Sequence, residues 1–174
     1  MTERWKKITL TTLLLLAASC NYQNPKDMLQ NPIATPKATL VADTSELEEL
    51  EIAAHQQVNQ YRQSQNLPPL TLNSTISQQA RIHSQDMADT KTLSHEGFQG
   101  RVKAIARTIP YRSAAENVAF NYGYSDPATR AVEGWIDSPG HQKNMVGDFD
   151  LAGMGVAVSP EGHYYFTQIF IRSR

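Results

Sequence analysis

The chain has 174 residues, a single cysteine and a formal net charge of −1 at pH 7. One cysteine rules out an intramolecular disulfide, and the absence of any lysine- or arginine-rich stripe argues against nucleic acid as a partner. The length suits one domain with its own core plus appended segments.

Met1 to Lys7 carries Arg4, Lys6 and Lys7, and Ile8 to Ala18 is apolar or nearly so. A basic stretch, a short apolar stretch and then small residues form the pattern of a secretory signal. A spanning helix needs about 20 predominantly apolar residues, more than stand here. The run closes on Leu16-Ala17-Ala18-Ser19-Cys20, which resembles a bacterial lipoprotein processing site whose cysteine becomes the lipidated first residue. Ala17 stands where such sites usually carry leucine, and ordinary signal cleavage leaving a free thiol is the alternative. Residues 1–20 are therefore predicted to be a lipoprotein-type signal segment, with Cys20 the point of lipidation. The expected product is exported and held at the membrane, on the cell envelope or extracellular face, each buried CH2 of an acyl chain contributing about 0.8 kcal/mol. Removing this segment takes away three basic residues and one acidic residue and leaves a net charge of −3.

Residues 21–42 place Pro25, Pro32 and Pro36 among Asn, Gln, Thr and Lys, with too few apolar residues to build a face. Such a composition predicts a flexible tether. Asp43 to Arg174 is predicted to be the folded domain.

In that domain Ser45 and Glu48 stand at capping-box spacing. Leu47, Leu50, Ala54, Val58 and Tyr61 then recur every three or four residues, the period of a helix face. Pro68 and Pro69 are expected to stop it. Asn73 suits the N-cap of a second helix whose buried stripe runs Ile76, Ala80, His83, Met87. His83, on that stripe, reads as a packed and hydrogen-bonded core histidine, and His55 carries no signal of its own. Gly97 and Gly100 break the chain before a short amphipathic segment around Val102, Ile105 and Ala106. Glu116 to Phe120 is a strand candidate, followed by a turn at Asn121 to Ser125. Asp126 as N-cap and Pro127 at the first helical position open another helix, with Ala128, Ala131, Val132 and Trp135 as its buried face. Ser138-Pro139-Gly140 is expected to end it and deliver His141 just beyond. Leu151–Ser159 and His163–Ile171, joined by Pro160-Glu161-Gly162, read as an antiparallel hairpin. The first of these runs has no polar face, as a central strand covered on both sides requires. The pattern is α+β with a helix-covered sheet.

Three separated blocks supply two histidines and a carboxylate: Ser94-His95-Glu96-Gly97, Ala115-Glu116-Asn117-Val118-Ala119, and Trp135 to Met145 with His141. With Asn59-x-x-Arg62, Pro69-Leu70-Thr71-Leu72-Asn73 and Phe166-Thr167-Gln168-Ile169-Phe170, they resemble the CAP family (SCP domain) of cysteine-rich secretory proteins, venom allergens and plant pathogenesis-related proteins, in their bacterial form. The resemblance implies a three-layer α-β-α sandwich with a central, mainly antiparallel sheet. It also implies a cleft in which His95 and His141 match the family's two histidines and Glu116 its first glutamate. Ser138 stands where many members have the second glutamate, which weakens any mechanism needing two carboxylates.

Three readings of His95, Glu116, Ser138 and His141 stay open. His95 and His141 are candidate ligands for zinc or another divalent metal, with Glu116 a third ligand or an acceptor for an imidazole N–H. Ser138, His141 and Glu116 can be drawn as nucleophile, base and orienting acid of a weak hydrolase, or a metal-bound water as the nucleophile. Or the three polar residues cross-link loops. The family's link to sterols and fatty acids adds a binding module for a lipid, sterol or other envelope ligand, with Tyr111, Tyr122, Tyr124, Tyr164 and Tyr165 as candidate groove residues.

Overall fold

The computed structural model describes residues 44–174, so the signal segment, Cys20 and the tether lie outside the described residues. The order of elements is α1 (Thr44–Ser64), β1 (Thr71–Leu72), α2 (Ser74–Thr90), α3 (Phe98–Ile105), β2 (Tyr111–Asn121), α4 (Pro127–Ile136), α5 (Pro139–Met145), β3 (Leu151–Val158) and β4 (Tyr164–Ser173). The strands form one sheet in the order β1-β3-β4-β2. β1 runs parallel to β3, while β3–β4 and β4–β2 are antiparallel.

Alternation along the strands sends successive side chains to opposite faces. Phe166 and Phe170 join Ala54, Val58, Val132 and Trp135 in one core. Ile169 and Ile171 join Ile76, Ala80 and Ile105 in the other. Helices α1, α4 and α5 thus cover one face and α2 and α3 the other, giving the α-β-α sandwich that the family resemblance implied. The predicted stripes of α1 and α4 face the first core, and that of α2 runs from Ile76 and Ala80 in the second to Met87 in a smaller third cluster. Asn73 caps α2 by accepting from the backbone N–H groups of Thr75 and Ile76, and Asp126 accepts from Thr129 N–H at the start of α4.

Four local expectations change. Ser45 lies inside α1 rather than ahead of it. α1 already ends at Ser64, ahead of the turn in which Asn66 has φ +59, rather than at Pro68. β2 has 11 residues instead of a short run, because it pairs with β4 from Tyr111 opposite Ser173 to Asn121 opposite Tyr164. As the edge strand it tolerates Arg112 and Ser113, whose polarity hides the strand in the sequence. Finally, Ser138 and Pro139 open α5, so His141 rides on a helix rather than beyond one.

Two polar pins tie the layers together. Glu51 is buried on α1, takes a bidentate fork from Arg81 of α2 and accepts from Val156 N–H of β3 at 3.2 Å. Arg62 is only 1 % exposed and donates to the carbonyls of Pro68, Met145, Gly147 and Phe149. Three residues earlier on α1, Asn59 donates to Leu70 O and accepts from Leu70 N–H. The Asn59-x-x-Arg62 pair therefore fixes the segment entering β1 and the loop leaving α5.

α2 lies against β3 at two glycines. A Cβ on Gly153 would stand 2.3 Å from the backbone of Ile76 and Ser77, and one on Gly155 2.2 Å from Arg81 N. Because the opposing atoms are backbone, a methyl group forces helix and sheet apart. Gly155→Ala is expected to lower unfolding free energy by about 3 kcal/mol, read as a fall in the urea midpoint. Gly134→Ala, on open surface of α4, serves as the control.

Candidate functional site

Two segments bring the histidines together at the edge strand β2. The loop after α2 brings His95 from one side, and α5 brings His141 from the other. Their ring centroids are 6.4 Å apart and the rings are tilted by 44°.

Each segment is anchored by buried polar groups. His83, 4 % exposed, donates from Nε2 to the carbonyl of Ser94 at 2.7 Å and so holds the His95 loop against α2. The core role predicted for His83 is what the structure contains. On the other side, Asn117 of β2 donates to the carbonyl of His141 at 3.1 Å. Asn144 of α5 donates to Asn117 Oδ1 and to the carbonyl of Glu116. Trp135 donates from its indole N–H to the carbonyl of Val118. α5 is therefore stitched to the edge strand at the place where its side chains alternate between cores.

Glu116 is the hub. Its side chain is 2 % exposed. Arg101 grips it with a two-pronged fork, Nε to Oε2 at 2.9 Å and Nη2 to Oε1 at 2.8 Å, while Arg101 Nη1 donates to the carbonyl of Glu96 at 2.7 Å. His95 Nδ1 donates to Glu116 Oε1 at 2.9 Å. That bond fixes the tautomer of His95 and leaves its Nε2 lone pair free, on a side chain that is 53 % exposed. Burial first, and the neighbouring His95 second, hold the His141 imidazole below its usual pKa, which keeps it neutral and able to donate a lone pair.

Arg101 went unnoticed in the sequence. It lies on a short helix with Lys103 and Arg107 nearby, and nothing local marks which cation turns inward. The signal available was indirect: a carboxylate on a strand buried at that position requires a cation.

The four predicted site residues are not equivalent in the fold. His95, Glu116 and His141 converge. Ser138 occupies the N-cap position of α5 but its side chain makes no capping hydrogen bond, and among the described residues Oγ is bonded to neither His141 nor Glu116. Glu116 orients His95, not His141, so the drawn triad of Ser138, His141 and Glu116 is not linked by hydrogen bonds. No group of three His, Cys, Asp or Glu arranged to hold a metal occurs among the described residues. Glu116 is committed to Arg101 and His95, which leaves the imidazoles of His95 and His141 facing each other beside it.

The five tyrosines do not share a groove. Tyr111 and Tyr122 stand at opposite ends of β2, Tyr165 is buried in a core of its own with Met87 and Val118, and only Tyr122 and Tyr124 are exposed.

Residues 55–170 match the CAP family, the cysteine-rich secretory protein family. The chain belongs to it. This CAP domain is 35% identical over 117 residues to YkwD of Bacillus subtilis, a protein itself uncharacterized, covering 65% of this chain and 43% of that protein. The chain thus spans less than half the length of that relative. An extracellular protein containing an SCP domain from Bacillus anthracis superimposes with a TM-score of 0.59 at 30% identity, over 75% of this chain and 44% of that one. An outer surface protein of Borrelia burgdorferi shares the fold, with a TM-score of 0.64 at 18% identity, over 73% of this chain and 95% of that one.

Two measurements check this electrostatic arrangement. Arg101→Met strands a buried carboxylate and is expected to cost about 3–5 kcal/mol; adding Glu116→Gln should restore part of that loss in the same denaturant titration. His55, His83 and His141 are all held below 6.5, burial being the main cause for each. The unfolded chain then binds more protons than the folded one in that window, so stability rises with pH up to about 6.5 and is lost as pH falls through the folded values. Melting temperature should follow that course, with a shallower slope in His141→Gln.

Proposed function

We propose that this protein is an exported, membrane-anchored CAP-domain binding module whose His95–His141 cleft takes a divalent metal such as zinc, or a small apolar or envelope ligand. The observation that carries the reading is the chain Arg101–Glu116–His95. A carboxylate bonded to one imidazole nitrogen, so that the other faces outward, is the outer-shell arrangement that orients metal-binding histidines. His141, kept neutral by burial, supplies the second donor. When bound, a metal at two imidazoles would offer open positions to an oxygen ligand, at modest affinity for want of a third protein donor. Glu116 serves as orienter, because its oxygens are already engaged by Arg101.

Export and anchoring through Cys20 rest on the signal-like amino terminus, and export is supported by the similarity to an extracellular protein and an outer surface protein. A lipid-modified Cys20 would carry the purified protein into the detergent phase on Triton X-114 partition, and Cys20→Ala would leave it in the aqueous phase.

Calorimetric titration of zinc into the protein is expected to give saturable, near-stoichiometric binding that is abolished in His95→Ala and His141→Ala. Glu116→Gln should weaken it by about 10–100-fold, with circular dichroism confirming that each variant is folded. Absence of binding to the unmodified protein removes the metal reading and leaves the envelope ligand.

A further inference from the structure

Among the described residues, the large hydrophobic side chains left exposed include only three aromatics, and they fall together: Phe120, Tyr122 and Tyr124, 40%, 61% and 52% exposed. They are not loose. Phe120 and His163 pack nearly perpendicular at 5.4 Å between centroids, Tyr122 meets the same imidazole at 5.0 Å, and the guanidinium of Arg130 lies 5.4 Å over the Tyr124 ring. Gly123, at φ +76, makes the turn that separates the two tyrosines. Rings fixed in advance lose little freedom on binding, which leaves more of their contact energy for a ligand.

Beside them run two adjoining hollows. One, of about 550 Å³, is lined by Phe120, Tyr122, Tyr124 and Arg130. The other, of about 450 Å³, continues past Tyr124 and Arg130 to Asp126, Thr129 and Glu133. Each is within the range of a small-ligand site, and neither includes His95 or His141. Asp126 is held rigid by Thr129, whose N–H and hydroxyl it accepts at 2.9 and 2.6 Å.

The occupant must therefore present a flat apolar face to the rings and a polar edge to a carboxylate, a guanidinium and phenol hydroxyls. An alkyl chain leaves those polar groups without partners. A polynucleotide meets Asp126 and Glu133 instead of a basic stripe. A peptide adding to the sheet needs free main-chain groups on β2, yet the carbonyls of Glu116 and Val118 are already taken by Asn144 and Trp135. A pyranose ring meets both demands, since its C–H face stacks on an aromatic ring while its hydroxyls bond at the rim. We propose that the Phe120–Tyr124 turn and the start of α4 form a glycan-binding groove, separate from the histidine cleft, that holds successive pyranose units of a polysaccharide chain on Tyr122 and Tyr124.

The full chain is mixed with insoluble cellulose or chitin and sedimented, and its affinity for the matching soluble tetrasaccharide is measured. Binding to at least one polysaccharide is expected. Tyr122→Ala and Tyr124→Ala should each weaken it by about tenfold or more, and Tyr122→Phe, which keeps the ring, by about threefold at most. His141→Ala should bind glycan like the unmodified protein, which separates this site from the metal cleft. The proposal is overturned if neither polysaccharide binds, or if both alanine variants, shown folded by melting, bind unchanged. Retention on phosphatidylcholine vesicles that depends on Tyr122, with no retention on glycan, overturns it in favour of a membrane surface.

Discussion

The carboxylate of Glu116 sits inside the protein beside a sheet edge, and nothing around it works unless its charge is met there. Arg101 meets it with a planar fork, which a lysine ammonium would not reproduce. The same fork fixes α3 against the sheet, and its remaining nitrogen holds the Glu96 carbonyl and so the loop that carries His95. One ion pair thus sets the position of a helix, a loop and an imidazole. It also decides the chemistry, because a carboxylate so engaged is an orienter before it is a ligand or a base. In the proposed metal site the two histidines would then be the donors, and Ser138 stands apart from them.

The layers are held by two different kinds of contact. Helix α2 approaches β3 so closely that only hydrogen atoms fit at Gly153 and Gly155, and this closeness lets Ser84 reach the carbonyl of Gly155 and the hydroxyl of Thr167 at 2.9 Å each. On the opposite face, α1 reaches the sheet through polar side chains placed among apolar ones. Glu51, Asn59 and Arg62 point inward because each finds a fixed backbone partner there. The two faces therefore respond differently to substitution: one to added volume, the other to lost hydrogen bonds.

Much of this was legible in the sequence, and for identifiable reasons. The stripes Leu47 to Tyr61, Ile76 to Met87 and Ala128 to Trp135 are helical because their apolar spacing admits little else, and Asn73 and Asp126 announce their helices through the chemistry of the cap. His95, Glu116 and His141 could be gathered because the family pattern fixes their order. What stayed hidden is what depends on partners distant in sequence. Arg101 differs from its basic neighbours only in facing Glu116. β2 is long because β4 is long. α5 exists because Pro139 follows an extended Ser138, a start signal that reads equally well as a stop for α4. The dispersal of the five tyrosines follows from the strand length that the pattern did not give.

Arg62 lends a last consequence. Its guanidinium is bound by carbonyls 83, 85 and 87 residues further along the chain, and Glu51 receives Val156 from 105 residues away. β1, too, finds its neighbour only when β3 has been made. The buried polar groups of the first helix accordingly complete their native set of partners only when residues 145–156 are present. Contacts of such long range make closure slow and late. For a chain that leaves the cytoplasm as proposed, that delay is useful: a polypeptide threaded through a translocation channel must stay unfolded, and here the first helix is locked by residues that emerge long after it.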